Sequence, residues 1–154
     1  MLMHADAAAA RHSAPQPPER WAALLDTLGS VEDEPSIIVI GRDGPDLMCA
    51  LLQGGAPNVT HLCSHERLEG DSATLVIVPH VPSLDWLHAA LPALRRTLTT
   101  NGRIALCVDP LPSMQTHIRR SLTLLGFTAI HTRSVHGRLV VNAELPAFGL
   151  CRCA

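Results

Sequence analysis

The sequence predicts a three-layer α/β domain: an open, mostly parallel sheet closed by an antiparallel hairpin at its carboxyl end. Three observations carry this. Short β-branched or apolar runs recur at residues 36–41, 58–63, 73–78 and 103–108, amphipathic segments of helical period separate most of them, and runs 127–135 and 138–145 are joined by His136-Gly137 alone. Strand-helix alternation implies parallel strands with right-handed crossovers. A two-residue link forces the last strand to turn back on its neighbour.

The elements follow in order. Residues 1–18 combine an Ala run, three prolines and small polar groups without a sustained apolar period, and read as a disordered tail. Asp6, His4 and the Arg11-His12 pair interrupt any secretory signal. A single domain is expected over 19–148, with 149–154 as a carboxyl tail. Trp21, Leu24, Leu25 and Leu28 share one helical face and Gly29 stops the helix. An acidic connector, Glu32-Asp33-Glu34, leads to the first central strand. Gly44-Pro45 opens a helix to about Gln53, which Gly54-Gly55 ends. After the strands at 58–63 and 73–78, Ser83 caps a helix over 84–98 with Asp85 in its first turn, and Pro92 is expected to kink or divide it. Asn101-Gly102 signals a turn before strand 103–108. A helix over 113–125, with Ile118, Leu122 and Leu125 inward and Gly126 at its end, precedes the hairpin.

Composition narrows the function classes. The 154 residues suit one domain, and 47% apolar residues can fill its core. With 3% aromatics and a net charge of −2 there is neither a base-stacking platform nor a basic excess, so no nucleic-acid partner is expected. No run reaches the roughly 18–20 apolar residues of a membrane span, so a soluble cytoplasmic protein is expected. Cys49, Cys63 and Cys107 lie in apolar segments and read as buried, reduced thiols. Cys151 and Cys153 supply two of the four ligands a closed zinc site needs, with no second pair, so no metal is expected. His61 and His65 are four apart but fall at a strand end rather than on a helix.

In this order, the segments IIVIGRDGPDLMCALLQGGAPNVTHL, SATLVIVPHVPSL, LRRTLTTNGRIAL and IRRSLTLLGFTAIHT, followed by the hairpin, resemble the Rossmann-like class I S-adenosylmethionine-dependent methyltransferase family over residues 37–145. The resemblance implies a cofactor site at the carboxyl edge of the sheet, where the family places an acid and a Gly-x-Gly-x-Gly turn after the first strand. The acid position here is Val39, Gly41 matches the first glycine, Asp43 replaces the second, and Gly44 is a shifted glycine. From the residues alone, Asp43 and Asp46 also suit a helix cap and a first-turn acid. The family's ribose-binding acid at the end of the second strand corresponds to Cys63, with Ser64 or Glu66 as stand-ins through a slip in register.

Only residues 64–73 separate the second strand from the next, too few for a helix and a buried strand. The family's third strand is therefore expected to be missing or vestigial, leaving Glu69 or Asp71 for adenine recognition. The family's catalytic loop corresponds to Pro79-His80-Val81-Pro82, with His80 as candidate general base, Asp85 as its nearest orienting group and Asp109 on the same edge.

These departures favour a degenerate, non-catalytic methyltransferase-like domain that acts as a protein-interaction or regulatory module without cofactor, similar to the methyltransferase-like portion of the anamorsin family. The alternative is a small methyltransferase that holds S-adenosylmethionine in a non-standard site. Loss of the third strand would expose an edge near residues 58–63, inviting a homodimer or another protein.

Overall fold

A computed structural model describes residues 17–135 and 137–147. Its elements are helix α1 (Pro17–Leu28), strand β1 (Ile37–Ile40), α2 (Gly44–Gln53), β2 (Val59–Leu62), a 3-10 turn (His65–Arg67), β3 (Ala73–Val78), α3 (Leu84–Thr97), β4 (Leu98–Val108), α4 (Pro112–Leu124), β5 (Thr128–Val135) and β6 (Arg138–Glu144). They form one six-stranded sheet in the order β2-β1-β3-β4-β6-β5. The first four strands are mutually parallel, and β6 runs antiparallel to both β4 and β5. The fold class is therefore as the sequence predicts, and among the described residues no strand lies beyond β2.

The central strands are apolar without alternation because both faces are covered. On one face Ile40, Val76 and Ile104 pack with Leu87 and Leu91 of α3 and Ile118 of α4. Ile37, Val39, Leu75, Ile77, Ala105 and Cys107 face the other way, toward α1 and α2. Each fully buried Ile or Leu contributes roughly 1.5–3 kcal/mol of apolar burial. In α1, Trp21, Leu24 and Leu28 are buried as their spacing predicts, and Gly29 ends the helix at φ +78°. The helix begins at Pro17, inside the expected 1–18 tail; Cys151 and Cys153 lie outside the described residues.

Several local expectations are corrected. Pro92 does not divide its helix: α3 is continuous and passes directly into β4 at Leu98. The Asn101-Gly102 turn exists as a bulge within that strand. Ala73 is opposite Leu98 but Leu75 is opposite Arg103, so residues 99–102 loop out, with Asn101 at φ +65° and Leu145 bonded to both Asn101 and Gly102. Cys107 is buried, but Cys49 and Cys63 are exposed. Leu47, Ala50 and Leu51 take the inward face of α2 and turn Cys49 outward, while Cys63 sits one residue past the end of β2.

The short link between β2 and β3 is strapped beneath the sheet. Asp71 and Ser72 donate backbone bonds to the carbonyls of Arg96 and Thr97. Thr97 Oγ1 and Ser72 Oγ both donate to the Glu69 carbonyl, at 2.6 and 3.0 Å. Glu69 and Asp71 thus sit at the amino end of β3, across the sheet from the edge where adenine recognition was expected.

Candidate functional site at the carboxyl edge

In parallel α/β sheets ligand clefts open beyond the carboxyl ends of the strands, where neighbouring connections diverge. Here β1 ends at Ile40, and Gly41 turns the chain with φ +121°, a conformation that a Cβ would strain. Its N–H donates to the Leu62 carbonyl, tying the turn to β2, and its carbonyl accepts from Gly44 N. Helix α2 begins there. Asp43 occupies the N-cap position but makes no side-chain cap bond, and Asp46 lies in the first turn.

His61, which the sequence reading did not place in the site, organises this turn. It stands opposite Val39 in the β1–β2 pairing, and its Nε2 lies 2.7 Å from the Gly41 carbonyl. A carbonyl only accepts, so Nε2 carries the proton. The ring covers Gly44, where an added Cβ would come within 1.9 Å of Cδ2. Gly44 is therefore a glycine that makes room for His61. The sequence signal is a glycine in the first helical turn with no turn geometry to require it.

A cavity of about 420 Å³ opens at this edge, lined by Gly41, Arg42, Asp43, Cys63, His80, Pro82 and Trp86. It gathers Gly41, Asp43, Cys63 and His80 from three strand ends. Gly44 lies under His61 and does not line it, and Ser64 is occupied in accepting from Glu66 N at 3.2 Å to cap the 3-10 turn. Glu66, Asp85 and Asp109 are exposed outside the lining. The His65 ring meets Trp86 edge-on, centroids 5.8 Å apart, which fixes the 3-10 turn against the start of α3.

The orienting group of His80 is Arg138, at the start of β6, rather than Asp85. Arg138 donates to His80 Nδ1 at 2.7 Å and to the Pro79 carbonyl at 3.5 Å. A guanidinium has no lone pair to offer, so Nδ1 accepts and the neutral ring carries its proton on Nε2. Beneath this loop, Val81 N donates to the Cys107 carbonyl at 3.0 Å. Burial pushes the Cys107 thiol up to about 11, against a smaller opposing pull from Arg138; a thiol so placed is unreactive at neutral pH. Asp43 is the one carboxylate in the lining. Val39, at the family's acid position, is fully buried among apolar side chains. Among the described residues, no group of three or more His, Cys, Asp or Glu could hold a metal, and no helix is long and apolar enough to cross a membrane.

No family model and no curated protein matches the sequence. Solved structures do match the fold. A ribosomal protein L11 methylase from Lactobacillus delbrueckii subsp. bulgaricus superposes with TM-score 0.67 at 12% identity, covering 86% of this chain and 80% of its own. A SAM-dependent methyltransferase from Archaeoglobus fulgidus gives 0.66 at 10% identity, over 83% and 94%. The Burkholderia thailandensis 1,6-didemethyltoxoflavin-N1-methyltransferase, solved with bound S-adenosylhomocysteine, gives 0.64 at 14% identity, over 92% and 83%. With its parallel core, antiparallel β6 and cleft at the carboxyl edge, the chain has the Rossmann-like fold of the class I S-adenosylmethionine-dependent methyltransferases.

Proposed function

We propose that this is a non-catalytic methyltransferase-like domain of the cytoplasm that works as a protein-interaction or regulatory module. The supporting observation is the charge and chemistry of the cleft. S-adenosylmethionine presents a sulfonium cation and a ribose diol. The cleft meets them with Arg42 and Asp43, whose charges offset, with a His80 ring backed by Arg138, and with a thiol at Cys63. Arg42 offsets the attraction of the Asp43 carboxylate for the sulfonium, and a thiol is a weak hydrogen-bond partner for two hydroxyls. The backbone that would approach the donor is also partly engaged, since the Gly41 carbonyl already accepts from Gly44 and from His61. The residues present therefore do not fit the family's cofactor, and the exposed β2 edge offers strand pairing to a protein partner. Isothermal titration with S-adenosylmethionine and S-adenosylhomocysteine tests this: no heat at millimolar ligand is expected, and micromolar binding of either overturns it.

A second reading, a small methyltransferase with a non-standard site, is favoured by the cavity itself, whose volume falls in the range of roughly 300–1,000 Å³ typical of small-molecule pockets. On that reading His80→Ala would abolish methyl transfer while the fold survives. The Arg138 bond opposes a general-base role, because Nδ1 is engaged as the acceptor and Nε2 then carries the proton.

A further inference from the structure

Charge is distributed very unevenly along this chain. Residues 21–85 hold ten carboxylates and two arginines, a balance of −8, whereas residues 86–147 hold two carboxylates and seven arginines, a balance of +5. The fold keeps these halves apart, because the sheet order places β2, β1 and β3 on one side and β4, β6 and β5 on the other. It also sorts them by layer. Helix α4 carries Arg119 and Arg120 and no carboxylate, while the α2 layer carries Asp46 and the Glu32-Asp33-Glu34 connector.

Each layer also exposes a leucine. Leu124 on α4 is 80% exposed, in a hollow of about 400 Å³ that Arg119 and Arg120 help to line. Leu52 on α2 is 47% exposed, three residues before Gly55, whose α-carbon is covered by the Glu32 side chain. Asp26 and Glu34 already pair with Arg133 and Arg103, but Glu32 and Asp33 are exposed.

We infer that copies of this chain associate head to tail, the acidic face around Leu52, Glu32 and Asp33 of one docking on the basic face around Leu124, Arg119 and Arg120 of the next. An apolar centre within a charged rim is the usual anatomy of a protein interface. A two-fold pairing of α4 with α4 would oppose arginine to arginine, so charge favours the heterologous arrangement. Such a contact leaves one face of each kind open at the ends and adds copies beyond a dimer. It goes beyond the proposed function and holds whether or not the cleft binds S-adenosylmethionine.

Sedimentation velocity of the full chain tests it. In about 25 mM salt the weight-average mass should rise with concentration to at least about twice the monomer, and in about 500 mM salt it should return to the monomer, because screening shortens the reach of exposed charges. R119E/R120E and E32R/D33R should each be monomeric in low salt. Their equimolar mixture should associate again, since each restores the charge that the other lacks, and this recovery also shows that both variants are folded. A wild-type chain that stays monomeric in low salt, or association that neither reversal weakens, overturns the inference.

Discussion

At the scale of single residues, His61 and Gly44 form the most informative pair. Gly44→Ala drives a Cβ into the His61 ring, and the ring must leave the Gly41 carbonyl, at a cost of about 1 kcal/mol for the lost bond. With the ring gone, alanine is the better helix former by up to about 1 kcal/mol. G44A should therefore destabilise the wild type and be neutral or stabilising in an H61A background, a change of sign that urea unfolding of the four proteins would register. Cys107 makes a separate prediction. Its thiol is raised from 9.0 to about 11 in the folded chain by burial, so above pH 9 the unfolded chain loses this proton first and stability falls until about pH 11. Below pH 9 both states keep the proton and the group is silent. The loss is about 3 kcal/mol, and with no Lys or Tyr in the sequence the thiols are the side chains that titrate in this window. Comparing unfolding at pH 8 and pH 10.5 should show a steeper decline for the wild type than for Cys107→Ala; equal declines would mean that this burial does not act on the thiol.

Among elements, α1 is held by a part-buried cross-link from β4 as well as by its apolar face and the exposed Asp26–Arg133 pair. Arg103, on β4, donates Nη1 to the Leu28 carbonyl in the last turn of the helix at 2.9 Å and pairs with Glu34 in the connector. It fastens the first helix and the acidic loop to a strand from the second half of the chain. Arg103→Ala leaves Glu34, which is only 14% exposed, without this cation, and a cost of about 1–3 kcal/mol is expected. A fall in the urea midpoint with faster proteolysis near residues 28–34 checks this; an unchanged midpoint would mean that Trp21, Leu24 and Leu28 hold the helix unaided. Elements with strong local signals were legible from sequence. The Gly44–Gln53 helix and the Ala73–Val78 strand have their expected ends because Gly-Pro, Gly-Gly and unbroken β-branched runs act over a few residues. The continuity of α3 through Pro92 was not legible, since packing of Leu87, Leu91 and Leu94 in the core outweighs the local penalty of one proline.

For the whole molecule, the sheet's own layout sets the order of local stability. β1, β3 and β4 are central and buried, whereas β2 and β5 are edges with half-buried or exposed side chains. Hydrogen exchange should be slowest in 37–40 and 73–78 and fastest in β5 and the outward amides of β2. Slow exchange along β2 would instead reveal a second chain paired on that edge. The sequence by itself determined the layering, the hairpin and, among the described residues, a sheet that ends at β2, because periodicity, turn residues and the short link before Ala73 are local quantities. It also placed Gly41, Asp43, Cys63 and His80 near one another, where they line one cavity, because strand ends in a parallel sheet converge on one edge. Only the tertiary structure decided that Arg138 rather than Asp85 orients His80, that His61 covers Gly44, and that Glu69 and Asp71 lie at the opposite end of the sheet. Those contacts join residues as much as 58 positions apart, and no local rule can pair side chains across such a separation before the strands have found their register.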